Sequence, residues 1–185
     1  MLIHINGMPG VGKLTVAKIL AERFSMHLVD NHSLINAAYA AGFPHGSDGY
    51  INTLLALTKV IYQELSINIS VPHIIMTNAF ATEYGPDPAR FSEIEKLAQN
   101  RNEPFIPVLL TCSIEENKRR IVIPSRKEKQ KLMNPDTIGL YHQIYKMIHP
   151  YDHPNQLAVD TTDLSPEQTA EIISGHLSLI LGPPF

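Results

Sequence analysis

Apolar runs alternate with amphipathic stretches along the whole chain. Residues 2–6 form a short apolar run that predicts a buried strand, and a glycine-rich turn follows it. Between residues 13 and 24, Val16, Ala17, Ile19, Leu20 and Phe24 recur at helical spacing, with Lys18, Glu22 and Arg23 on the opposite side. Residues 27–30 predict a second strand, and residues 50–69 a long helix carrying Leu54, Leu55, Leu57, Ile61 and Leu65. A third strand is expected at 73–77 and a helix at 88–100. Residues 105–112 are apolar throughout, as in a strand covered on both faces. Ser113 and Glu116 have capping-box spacing and open a short helix that Pro124 is expected to close. A helix over 135–148, a fifth strand at 157–160 and a last helix with Ser165 as cap and Pro166 in its first turn complete the pattern.

Strands separated by helices predict an α/β fold with a parallel sheet and helices on both faces. No repeat or low-complexity linker breaks the chain, so all 185 residues are read as a single domain. Insertions are expected near 42–50 and 119–135.

Composition narrows the function. One cysteine, Cys112, excludes an intramolecular disulfide and a cysteine-based zinc site, and fits a reducing compartment. No apolar run is long enough to span a bilayer, and residues 1–7 lack the basic and apolar regions of a signal peptide. A cytoplasmic protein without a membrane partner is expected. The net charge is −3, from 15 basic and 18 acidic residues, yet seven of the basic ones fall between Lys118 and Lys131. A mildly acidic chain with one basic segment suits gripping a compact anion better than coating a nucleic acid.

Residues 7–15, Gly7-Met8-Pro9-Gly10-Val11-Gly12-Lys13-Leu14-Thr15, match the G-x-x-x-x-G-K pattern between a strand and a helix. In that context the glycines let backbone N–H groups turn towards phosphate oxygens, the helix N-terminus adds its positive end, and Lys13 adds a mobile cation. A dinucleotide fingerprint would need Gly or Ala where Thr15 stands. The hydroxyl that usually follows the lysine directly is displaced by Leu14 to Thr15.

With its Gly-Lys-x-Thr form, the chain resembles the nucleoside-monophosphate-kinase and shikimate-kinase branch of P-loop kinases over nearly its whole length. Size and pattern are closest to uncharacterised small kinases near shikimate kinase and chloramphenicol phosphotransferase. The resemblance implies a five-stranded parallel sheet of order 2-3-1-4-5 and a small lid at about 119–135. It also implies ATP-dependent transfer of the γ-phosphoryl group to a small-molecule acceptor, with Mg²⁺ placed by Thr15 directly or through water. Residues 7–15 would hold the nucleotide, and Lys13 would act on the β- and γ-phosphates.

Asp30, at the end of the second strand, is the candidate to meet an acceptor hydroxyl or the metal; its plain alternative is a helix cap, as for Asn31 or Ser33. His32 in its ordinary reading is a cap or surface residue. Arg119, Arg120 and Arg126 stand where this branch carries lid arginines. Arg119 is placed with the nucleotide-binding residues and Arg120 and Arg126 with the catalytic ones, while which of the three stacks on the base and which clamps phosphate does not follow from their spacing. Asn78 is a turn residue or a substrate contact, and Asp160 a turn cap. Two other functions share these features: a nucleoside monophosphate kinase, which has less need of Asp30, and a nucleotide-binding module without turnover. The acceptor itself and the oligomeric state are not encoded in any motif.

Overall fold

The computed structural model describes residues 1–68, 70–71, 73–126 and 131–182. Five strands, β1 (Leu2–Gly7), β2 (His27–Asp30), β3 (Ile74–Thr77), β4 (Phe105–Thr111) and β5 (Leu157–Asp160), form one sheet. Its order is β2-β3-β1-β4-β5 and every pairing is parallel, as the resemblance implied. The central strands β1 and β3 are buried at every residue, the mark of a sheet covered on both faces.

Alternation along β1 sorts the two layers. Ile3 and Ile5 face a core with Val16 and Leu20 of α1 (Lys13–Arg23) and with Ile173 and Leu177 of α7 (Pro166–Leu181). Leu2 faces the other core, with Tyr62 and Leu65 of α3 (Asp48–Ile67) and Phe91, Ile94 and Leu97 of α4 (Asp87–Asn100). His4 points to this second side, its ring between those of Phe80 and Phe91.

Helix α2 (Asn31–Ala40) was not foreseen. Only Leu34 and Ala38 of it are buried, so alanines and polar residues carry most of its turns and the periodic signal is weak. It packs on α3 through Leu34, Ala38, Tyr50 and Leu54. Helix α3 begins at Asp48, capped by Ser47, whose hydroxyl oxygen accepts from the Tyr50 amide. The connection expected over 42–50 is therefore shorter.

Two other boundaries move. Helix α5 (Ile114–Ile121) ends before Pro124, which begins a single 3₁₀ turn through Arg126. Helix α6 (Pro135–Ile144) stops short of 148 because the next residues pair elsewhere. Met147 bridges Ala81 antiparallel, the Ile148 amide donates to Phe80 O, and Asn6 Nδ2 donates to Ile148 O. Part of the expected lid, residues 127–130, lies outside the described residues. Among the described residues no helix is long and apolar enough to cross a membrane.

Candidate active site

The parallel register brings the carboxyl ends of β1, β2 and β3 together, the edge where open α/β sheets bind ligands. Asp30 and Thr77 are paired there, and Gly7 begins the turn into α1. Within that turn Gly10 and Gly12 are both left-handed, at φ +99° and +98°. A Cβ on Gly10 would also run into the side-chain amide of Asn117, whereas Gly12 has open space around it. Gly10 is thus demanded by packing and backbone, Gly12 by backbone alone.

Lys13, half-buried, folds back over the turn, and its ammonium donates to Gly7 O (2.6 Å) and Met8 O (2.8 Å). Burial, with Arg126 and Lys131 nearby, lowers its pKa to about 7, while Asp30 pulls the other way. Thr15, two residues further along α1, is exposed.

A cavity of about 660 Å³ opens over this turn. Residues 9–16 line it, with Asp30, Thr77 and Asn78 at one side and Thr161 at the other. Asp30 occupies the N-cap position of α2, but its side chain makes no capping bond. Its carboxylate instead accepts the Thr77 hydroxyl at 2.9 Å. Asn78 is buried, and its Oδ1 lies 3.1 Å from His4 Nε2.

The three arginines are placed differently. Arg119 is exposed and paired with Glu116. Arg120 donates to Thr161 Oγ1 (2.9 Å), Thr161 O (2.6 Å) and Thr162 O (3.3 Å), and its Nε to Glu116 (2.5 Å). Its two terminal nitrogens serve the loop after β5, and its Nε serves Glu116 on α5. Arg126 donates twice to Leu132 O, at 3.1 and 3.0 Å, and faces the cavity. Glu116 is held well below the usual carboxylate range by its hydrogen bonds to Arg119 and Arg120. Only half of the expected capping box forms: Ser113 Oγ accepts from the Glu116 amide, while the Ser113 amide donates to Thr162 Oγ1. Asp160 caps its own turn as expected, accepting from the Thr162 amide and hydroxyl.

A second cavity, about 530 Å³, adjoins the first. The two share Pro9, Asn31, His32, Ala79, Arg126 and Lys131. His32 therefore stands at their junction. Burial and the neighbouring cations Lys131, Lys13 and Arg126 lower its pKa to about 4 against the pull of Asp30, keeping it neutral at pH 7.

Asn117 belongs to no motif in the sequence. It is fully buried, its Nδ2 donating to Pro9 O (2.9 Å) and its Oδ1 lying 2.8 Å from His142 Nε2. Such long-range partners have no local pattern to betray them.

For a magnesium ion, the donors at this edge are the Thr15 hydroxyl and the Asp30 carboxylate. No group of three or more His, Cys, Asp or Glu side chains stands ready for a metal among the described residues. That donor set fits a magnesium ion carried in by phosphates and completed by one or two protein oxygens.

No family model matches the chain, and no curated protein matches it at a significant level. Several of its structural neighbours are P-loop small-molecule kinases. A gluconokinase from Sinorhizobium meliloti aligns with 96% of this chain and 91% of its own, at TM-score 0.60 and 16% identity. The Mycobacterium tuberculosis APS kinase CysC, solved with AMPPNP and APS, aligns with 96% of each chain at TM-score 0.60 and 16% identity. A shikimate kinase from Bacteroides thetaiotaomicron aligns with 98% of each chain at TM-score 0.57 and 17% identity. At these identities the likeness is one of fold.

Proposed function

We propose that the protein is an ATP-dependent kinase that moves the γ-phosphoryl group to a hydroxyl of a small molecule. The observation that carries this reading is the pair of adjoining cavities, one over the phosphate turn and one beside it, meeting at His32 and Arg126. A nucleotide in the first would present its terminal phosphate towards the second.

In this reading the turn amides and Lys13 hold the β- and γ-phosphates. Lys13 leaves the carbonyls of Gly7 and Met8 when phosphate oxygens replace them. Asp30, oriented by Thr77, takes the acceptor proton as the acceptor oxygen forms its bond to phosphorus. The bond to the β–γ bridging oxygen breaks and ADP leaves. Thr15 would hold Mg²⁺, directly or through water, and the ion would neutralise phosphate charge when bound; Asp30 is its alternative donor in place of the role as base. Arg126 faces the transferring group, while Arg120 anchors the loop that would border the base. Residues 119–135 would close over the site as a lid.

Turnover of ATP to ADP with a phosphorylated acceptor, followed by mass spectrometry, tests the reading. Lys13→Ala is expected to lower the rate roughly 10²–10³-fold or more with the fold intact. Asp30→Asn is expected to slow transfer far more than it weakens ATP binding. Wild-type turnover by Lys13→Ala would sink the mechanism.

A further inference from the structure

The second cavity is walled by aromatic side chains. Tyr39, His45 and Tyr50, from α2, α3 and the turn between them, pack ring against ring with centroids 5.0–5.8 Å apart. On α6 and just beyond it, Tyr141 and Tyr145 form an edge-to-face pair at 5.1 Å. Tyr84 stands near enough to both groups to influence the ionisation of Tyr50 and of Tyr141. Ile35, Leu54 and Met147 add apolar surface to the same cavity.

Its charge is as informative as its rings. Away from the junction, Arg90 is the one cation lining this cavity among the described residues. Asp87 pairs with it at 3.4 Å, Asn31 Oδ1 accepts from it at 3.3 Å, and its guanidinium stacks 4.6 Å above the Phe80 ring. Asp87 is itself buried and accepts from the Ala81 amide. Asp87 already pairs with Arg90, so an anionic acceptor whose charge lay at this end, away from Arg126 and Lys131, would be poorly matched, and burying an unmatched charge is costly. A polyol would set its hydroxyls against ring faces and methyl groups. A flat, uncharged ring loses nothing by entering and gains offset or edge-to-face contacts.

Resting on the kinase reading above, we propose that the acceptor is an uncharged molecule with a planar aromatic ring and an alcohol group. The ring lies among the tyrosines, and the alcohol reaches the junction at His32. There its oxygen bonds to the γ-phosphorus, the β–γ bridging bond breaks, and the proton passes to Asp30. The same chemistry is found in nucleosides and in simple aryl alcohols, and the test separates them.

Five of the seven tyrosines line this cavity and the chain has no tryptophan, so intrinsic fluorescence reports directly on its filling. With a nonhydrolysable ATP analogue present, uridine, adenosine and 2-phenylethanol are titrated beside glucose, shikimate and uridine monophosphate. Saturable quenching by at least one of the first three, with none by the second three, is expected. Which of the three quenches assigns the source. Tyr84→Leu and Tyr141→Leu, each retaining apolar bulk without a ring, should weaken that binding about 3- to 10-fold. They should leave affinity for the analogue unchanged. Binding by glucose, shikimate or uridine monophosphate in place of the aromatic alcohols, or no binding by the aromatic alcohols, overturns the proposal. Calorimetric titration with the ATP analogue alone tests the donor side separately, so failure of the kinase reading is recognised apart from failure of the acceptor assignment.

Discussion

The side-chain amide of Asn117 donates to the carbonyl of Pro9 at 2.9 Å, tying α5 to the middle of the phosphate turn. Across 108 residues of sequence this bond fixes the height at which the turn sits above the sheet. Gly10 has no side chain because the same amide occupies the space. His142 completes the link from the other end, so the turn, α5 and α6 share one polar chain centred on the buried Asn117.

Asn117→Ala should therefore do two things. It removes two half-buried hydrogen bonds, those to Pro9 O and to His142 Nε2, at about 0.5–1.5 kcal/mol each. It also frees the turn, so ATP affinity should fall with stability. Urea unfolding and nucleotide titration check both. An unchanged affinity in a destabilised variant would confine Asn117 to packing.

Lys13 offers a proton-linked prediction. Its pKa is lowered to about 7 without ligand, so at pH 8 the ammonium is mostly deprotonated. Phosphate charge favours the protonated form and should raise the pKa back towards its ordinary range. Binding of an ATP analogue at pH 8 is then expected to take up close to one proton. Calorimetry in buffers of different ionisation enthalpy measures it, and Lys13→Ala should abolish the uptake. Equal proton uptake in the two proteins would remove Lys13 from the phosphate site.

The arginines should separate by kinetics. Arg120 uses every nitrogen on Glu116 and the loop carrying Thr161 and Thr162, so Arg120→Ala should raise the KM for ATP by loosening that loop. Arg126 faces both cavities, so Arg126→Ala should lower kcat with a smaller effect on nucleotide binding. Steady-state kinetics with varied ATP distinguish them. Matching changes in kcat and KM for both variants would contradict the division.

Much of the donor side was legible because it is local. A glycine pattern, a lysine and the start of a helix lie within nine residues, and β1 and β4 are apolar enough to announce a covered sheet. The acceptor side was not legible, because its walls are assembled from distant pieces. Tyr39 and Tyr141 lie a hundred residues apart and meet one cavity only through the packing of α2, α3 and α6. Glu116 looked like half of a capping box, yet its two arginines stand three and four residues on in the same helix, a local spacing that the lid reading of those arginines passed over. Helix α2 escaped notice because its buried stripe is two residues wide.

The last prediction concerns acid stability. His4 lies in β1 on the α4 side of the sheet, between Phe80 and Phe91, and burial lowers its pKa to about 3 from an ordinary 6.5. A histidine depressed in the folded state favours folding fully above pH 6.5. Between that value and about 3 the unfolded chain binds one more proton, so stability falls as pH falls, and below about 3 the loss is complete. One such proton corresponds to a slope of about 1.4 kcal/mol per pH unit. His32, lowered to about 4, adds its own contribution over a narrower range. His4→Gln keeps an amide able to donate to Asn78 Oδ1 but removes the titration. Between pH 6 and 4 its unfolding free energy should fall less steeply than that of the wild type, by about 1.4 kcal/mol per pH unit. Urea unfolding at half-unit intervals of pH measures both slopes. Parallel slopes would mean that the His4 ring gains its proton in the folded protein as readily as in the unfolded chain.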